Sequence, residues 1–265
     1  STHVHTGIRS GDEAIRAMSH LVPALPAFIA LSANSPFWRG YKTGHAAYRH
    51  RILAASPYYG LPVEFQDWAG FEKFFNAARK SGMIRRMKDI HWDVRPSPDF
   101  GTVEIRTMDA AGDLQTLRAL TAFARVMTVC MARASVVEVS RVIPLDLPYW
   151  VVRENCYRAS HLGLNGMFIY DKQGNYRPLQ GLIEELISFC QPTAVEIGEA
   201  RNLALCRKIL DDGPGYLQQL YVYARTHSAR AVVESLRNRL QESLGFAGEN
   251  CLKPPADLLE PFISV

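Results

Sequence analysis

The sequence predicts an α+β fold, and three observations carry that expectation. Residues 3–6 alternate in polarity, and so do two stretches between residues 90 and 109. Beyond residue 113 most of the chain repeats apolar residues every three to four positions. A two-residue period is that of a half-buried strand, and the longer spacing is that of an amphipathic helix. No repeat and no low-complexity linker divides the 265 residues. One domain is therefore expected, with sheet and loops over 1–110 and mainly helix over 111–265.

Taken in order, Thr2-His3-Val4-His5-Thr6-Gly7 opens as a strand with both histidines on one face. Ser10-Gly11-Asp12-Glu13 offers a helix start with acids in the first turn, and a helix is expected over 13–22. Residues 25–33 form a second apolar stretch, ended by Asn34-Ser35-Pro36. It is the longest apolar run and is too short to span a bilayer, so no transmembrane helix and no membrane partner are expected. Residues 37–62, rich in Gly, Tyr, Arg and Pro, read as a long irregular loop of the kind that carries function. Residues 64–81 read as a helix with Phe65, Trp68, Phe71, Phe74 and Phe75 at helical spacing, a core stripe rather than a site. Two alternating segments, 91–95 and 102–106, flank Pro96-Ser97-Pro98 and Gly101, the pattern of a hairpin with a wide loop. Helices are expected over 113–134, 149–162, 179–190 and 196–210, and over 215–244 as two helices broken near His227-Ser228. From Gly245 onward, Pro254-Pro255 and Pro261 predict an irregular end.

The net charge of +4 is mild and does not point to nucleic acid. The arginines are scattered, with Arg85-Arg86 the one local pair of note, and a site for anionic small molecules accounts for them as well as anything. None of the five cysteines forms a CxxC pair. An odd count without a secretory signal suits free thiols in a reducing, cytoplasmic compartment. Apolar faces on 64–81 and on the tail helices are compatible with a homo-oligomer.

The chemistry-bearing residues gather on the strands and the loop. His3 and His5 suit a metal, or a hydrogen-bonded pair on a polar strand face. Glu104 and Arg106 share one face of their strand, with Val103 and Ile105 on the other. A carboxylate two residues from a guanidinium fits a metal-plus-phosphate site; taken alone, it is more simply an ion pair on an edge strand. Asp93 and Arg95 repeat the arrangement, with His91 on their face. Arg39, Arg49 and Arg51 sit among Trp38, Tyr41 and Tyr48, where they would clamp carboxylates or phosphates, or form a solvated surface over aromatic stems.

Four segments add a specific signal: "HVHTGI", "LSANSPFWRGYKTGHAAYR", "DIHWDVRPSPDFGTVEIRTMD" and "PYWVVRENCYRASHLGL", in this order. Together they resemble the carboxylate–amine ligases, the type 2 glutamate–cysteine ligases, over residues 1–178. That family is similar in turn to glutamine synthetase, whose antiparallel sheet forms the active-site floor under covering helices. The resemblance implies ATP-dependent ligation through a γ-glutamyl phosphate, which an amine, cysteine or another, then attacks. Mg²⁺ or Mn²⁺ would bridge the ATP phosphates. A ligase for a different amine, or a non-catalytic nucleotide- or amino-acid-binding domain of the same fold, is the alternative.

Carried over by position, the resemblance implies His3 and Glu104 as metal ligands and His5 beside the substrate. Arg106 and Arg95 fall at the phosphoryl-transfer centre, Arg39 on the glutamate carboxylate, and Arg49 and Arg95 on phosphate. Trp92 and Asn155 belong to the motifs without an implied role. Cys156 and His161 stand where related sequences often have arginine. The family's run of glutamates before the histidine strand has no counterpart from Ser1 onward. The chain is therefore expected to be the C-terminal portion of a larger ligase and inactive alone.

Overall fold

The structure is a computed structural model and describes residues 1–56 and 58–246. The proline-containing end and Cys251 lie outside the described residues. β1 (Val4–Gly7) leads into α1 (Gly11–Leu21), where Ser10 caps the helix by accepting the Glu13 amide at 3.2 Å. A 3-10 turn over Val22–Ala24 joins α1 to α2 (Leu25–Ser32). Pro23 and Pro26 each fall in the first turn of their segment, where a missing N–H costs little, so the helical run is unbroken. This corrects the reading of two short apolar stretches. Gly11–Ser32, with mean hydropathy 1.5, is long and apolar enough to cross a membrane by length and composition. Its apolar surface is spent on the core instead, with 83% of its most apolar window buried inside the fold.

The loop expected over 37–62 carries short elements. β2 (Phe37–Trp38) and β3 (Tyr41–Lys42) form a hairpin, followed by α3 (Tyr48–Ala54) and β4 (Tyr59–Gly60). α4 (Trp68–Lys80) starts later than its aromatic spacing suggests, because Asp67 caps it by accepting the Gly70 amide at 2.7 Å. Phe65 stays outside the helix yet packs on Phe71, Phe74 and Trp92. β5 (His91–Trp92) then pairs in parallel with β4.

β6 (Val94–Ser97) and β7 (Thr102–Ile105) make the expected hairpin, turned by Gly101 at φ +62°, a left-handed conformation that favours glycine. β1 pairs with the free side of β7, giving the antiparallel order β1-β7-β6. The register sorts the side chains into two faces. Val4, Ile105 and Val94 stand abreast on one face, while His5, Glu104 and Arg95 stand abreast on the other. The apolar residues of the first row are buried in the core. α1 and α5 (Leu114–Arg133) pack against the sheet there.

Among the described residues, the rest of the chain is mainly helical apart from one hairpin that the sequence did not reveal. α6 (Val136–Ser140) and α7 (Tyr149–Leu162) precede that hairpin, β8 (Met167–Ile169) and β9 (Tyr176–Pro178). α8 (Leu179–Glu196), α9 (Ala200–Asp212), α10 (Gly215–Thr226) and α11 (Ala229–Ser243) follow. α8 continues through Pro192 beyond its expected end, and the α10–α11 break falls at His227, φ +51°, as expected. α5 is the central helix, packed against α1, α8 and α9. The four described cysteines are free and buried.

Asn155 acquires a structural role. Its Nδ2 donates to the Ile169 carbonyl and its Oδ1 accepts the Ile169 amide, each at 2.8 Å, which clamps β8 to α7. Replacement by Ala would leave both backbone groups of a buried residue unpaired. Asn155→Ala is expected to cost roughly 2–4 kcal/mol in urea denaturation. That is comparable with the about 3–5 kcal/mol expected for emptying the Phe123 position in Phe123→Ala. An Asn155→Ala loss under about 1 kcal/mol would show that the clamp is dispensable.

Candidate active site

The polar row of the sheet converges on one carboxylate. Glu104 sits on the middle strand, so neighbours reach it from both sides. Arg95 Nε donates to its Oε2 at 2.8 Å, and Arg106 Nη1 donates to its Oε1. His3 Nδ1 and His5 Nε2 lie 3.3 and 3.4 Å from the same Oε1. The Glu104 side chain is only 3% exposed, whereas His3 and His5 are 34% and 36% exposed. Burial pushes the Glu104 carboxyl up. Hydrogen bonds from His3 and Arg95 and the charges of Arg106 and Arg95 outweigh it, and hold the group well below the usual carboxylate range.

Each neighbour is oriented by a further contact. His5 Nδ1 lies 2.8 Å from Thr102 Oγ1, and the ring meets Phe100 edge-on. His3 Nδ1 is also 3.4 Å from Arg106 Nη1. One nitrogen cannot donate to Glu104 and accept from Arg106 at once, so the tautomer decides which contact is a bond. His91 stacks on Tyr59 with ring centroids 4.5 Å apart and lies 3.5 Å from Arg106 Nη2. Burial and the charges of Arg106 and Arg95 lower its pKa, which favours the neutral ring. Arg95 is buried and donates to the carbonyls of Met87 and Ile90 as well as to Glu104. It lies within the sheet cluster as expected, but it supports Glu104 rather than facing outward. Asp93 leaves the row. Its carboxylate is 3.3 Å from Nε2 of buried His50 on α3, and its carbonyl accepts the Arg106 amide at 2.8 Å.

A second node forms around Asp109, just past β7. Its Oδ2 accepts from Ser35 Oγ at 2.6 Å and from the Asn34 amide at 3.0 Å. Its Oδ1 is buried with no hydrogen-bond partner among the described residues and lies 3.6 Å from Arg49 Nη1. Arg49 Nη1 also donates to the Met108 carbonyl at 3.2 Å. Burial lowers the Arg49 pKa against the pull of Asp109 and Asp93. α10 braces this loop from the helical half. Gln219 Nε2 donates to the Asn34 carbonyl at 2.7 Å, and a Cβ on Gly215 would collide with the Asn34 side chain. Asp109 ends the quoted "EIRTMD" motif, so an acid four residues past Ile105 was a usable signal. Nothing in the sequence pointed to Gln219 or His50.

Arg39 stands apart from these nodes. It occupies the tip of the β2–β3 hairpin at φ +50°, exposed, with its guanidinium 5.9 Å from the Trp38 ring centroid. Cys156 is buried, and burial pushes its thiol well up, so it offers no anion contact. His161 packs on His45 at 4.7 Å between ring centroids. The described residues do not by themselves fit a divalent cation. They gather no group of three or more His, Cys, Asp or Glu side chains able to hold a metal. Both Glu104 oxygens are already bonded to arginine, and Mg²⁺ demands near-octahedral oxygen coordination.

Removing the Glu104 charge strands two guanidinium groups against the sheet. Glu104→Gln is expected to destabilise the fold by about 3–5 kcal/mol at neutral pH in urea titrations. The depressed carboxyl makes a pH signature. Its stabilisation is fully present above the ordinary carboxylate pKa of about 4.3 and is lost as pH falls through the lower folded value. The Gln variant should lose that part of the acid dependence. Parallel acid profiles for the two proteins would contradict the assignment.

Comparison with known proteins adds an independent line. The sequence profile of glutamate–cysteine ligase family 2 matches residues 1–236. A protein of Trichormus variabilis named "Putative glutamate–cysteine ligase 2" is 40% identical over 241 residues, covering 91% of this chain and 62% of its own length. The Frankia casuarinae protein "Putative glutamate–cysteine ligase 2-1" is 37% identical over 218 residues, covering 82% and 56%. A Mycobacterium tuberculosis protein named "Putative glutamate–cysteine ligase 2" is 38% identical over 236 residues, covering 88% and 62%. The chain thus spans about three fifths of the length of the curated relatives it matches. The match runs through the histidine strand, the Asn34 loop, the Glu104 strand and the braces that hold them, and by that extent the chain belongs to glutamate–cysteine ligase family 2.

Proposed function

We propose that this chain carries the phosphoryl-transfer face of an ATP-dependent carboxylate–amine ligase, joining glutamate to cysteine through γ-glutamyl phosphate. The observation that carries the reading is the His5–Glu104–Arg95 row with Arg106 beside it. Two arginines against one carboxylate leave an excess positive charge on a partly open sheet face. Such a face suits a transferring phosphoryl group, whose charge spreads over its outer oxygens. A glutamine synthetase-like arrangement, with this sheet as the site floor, is part of the same proposal.

In this reading a γ-carboxylate oxygen of glutamate attacks the terminal phosphorus of ATP, and ADP leaves. The amine then attacks the acyl carbon, phosphate departs and the nitrogen loses a proton. Arg106 neutralises the phosphoryl oxygens, while Arg95 fixes Glu104 and thereby Arg106. Arg49, held by Asp109 and the Met108 carbonyl, meets phosphate. Arg39 on its hairpin grips the glutamate carboxylate, and His5 borders the substrate. Mg²⁺ or Mn²⁺ would accompany ATP and screen its phosphates. His3 and Glu104 are the groups of this chain nearest to such a role, and further ligands would have to come from beyond the described residues.

One observation favours a second reading. Both Glu104 oxygens are saturated by protein groups, which also suits a domain that binds nucleotide or amino acid without turnover.

The deciding assay is phosphate release by the full-length natural protein with ATP, glutamate and cysteine or other amines in turn. Binding of ATP and glutamate in calorimetry without release would favour the second reading. Arg106→Ala is expected to lower kcat roughly 100-fold, the scale of losing one charge-stabilising donor. Arg39→Ala is expected to raise KM for glutamate more than KM for ATP. Unchanged glutamate saturation in that variant would remove Arg39 from the substrate site.

A further inference from the structure

A basic segment, made of the last two residues of α4 and the loop from there to β5, takes no part in the ligase reading. Residues 79–89 hold Arg79, Lys80, Arg85, Arg86 and Lys88 against the single carboxylate of Asp89. The formal excess of four equals the net charge of the whole chain. All five basic side chains are exposed. Arg86 alone among them is ion-paired among the described residues, 3.5 Å from Asp89. Asp89 is otherwise occupied in shaping the loop, since its Oδ2 accepts the amides of Arg85 and Arg86 at 2.8 and 3.1 Å. The loop borders an open surface hollow of about 570 Å³ lined by Gly82, Met83, Ile84, Arg85, Arg86 and Asp89. That volume falls in the range of small-ligand sites.

The same loop is bonded to the candidate active site from behind. The 3-10 turn Met87–Asp89 follows directly on Arg86. The carbonyls of Met87 and Ile90, within and just after it, both accept from Arg95 Nη1, the first at 3.1 Å. Arg95 Nε in turn donates to Glu104 at 2.8 Å. A movement of the turn therefore reaches Glu104 through a single side chain.

We propose that this loop is a second anion site, one that takes a small phosphate-bearing molecule and, when filled, shifts Arg95 against Glu104. Guanidinium forks meet phosphate oxygens two at a time, and adjacent arginines on an acid-poor loop supply two such forks. Arg85 and Arg86 both line one small hollow, which suits a compact ligand better than an extended polyanion. The inference rests on the loop and its bonds, not on the ligase reading.

Inorganic pyrophosphate titrated into the protein at low ionic strength tests it, by calorimetry and by the Arg95 Nε–H resonance in ¹⁵N-labelled protein. The expected result is saturable binding that moves the Arg95 resonance. The double variant Arg85→Ala, Arg86→Ala should keep its melting temperature, bind roughly tenfold or more weakly, and leave Arg95 unmoved. Binding that survives Arg106→Ala belongs to the loop, and binding abolished by it belongs to the sheet face and overturns the proposal. Undiminished binding in the double variant also overturns it. Binding through the loop with a still Arg95 resonance overturns the link to Glu104. Loss of ligase turnover would leave both readouts unaffected.

Discussion

Glu104 is held in the middle of a three-stranded sheet by two guanidinium groups, and the rest of the candidate site is arranged around that ion cluster. A carboxylate this buried is costly unless it is paired on more than one side. The middle strand makes such pairing geometrically available, because Arg95 and His5 stand abreast of Glu104 on the flanking strands. Arg106 and His3 close the remaining approaches. The cluster therefore stabilises the pairing register of the sheet, and with two arginines against one carboxylate it carries net positive charge. Fold and candidate chemistry draw on the same contacts, so a change at Glu104 affects both.

The polar face depends on support from elements far away in sequence. Arg95 is fastened to the turn that ends the basic loop. Arg106 is set by the Asp93 carbonyl, and Asp93 in turn faces His50 on α3. Asp109 ties the Asn34 loop to the strand that precedes it, and Gln219 of α10 closes the loop from the other side. Backbone amides and carbonyls dominate these ties, which suits precise placement because they are stiffer than pairs of long side chains. The helical half thus does more than cover the sheet: α10 sets the base of the hairpin that carries Arg39.

Local rules reached a good part of this. Helix starts followed from Ser10 and Asp113, each of which accepts an amide from its own first turn. The period of two in 102–106 separated Glu104 and Arg106 from Val103 and Ile105, and the structure keeps that division. The same rule failed at Asp93, where the chain passes from β5 to β6 and the alternation is interrupted. It also failed across 37–62, where short strands and one helix arise from pairing with distant segments such as β5 and the end of α7. Pro23 and Pro26 leave the helical run over 22–33 intact, because each sits in a first turn.

The sequence by itself determined which side chains share a face, where most helices begin and end, and, through its long motifs, the family. Those properties depend on neighbours within a few positions, or on residue identity alone. Tertiary structure decided that His5, Glu104 and Arg95 stand abreast, that Arg95 turns inward, and that Arg39 lies on a separate hairpin. It also decided that the Arg85-Arg86 pair sits on a loop bonded to the partner of Glu104. These outcomes depend on strand register and on contacts between residues roughly a hundred positions apart, and no local pattern encodes which distant partner a strand will take.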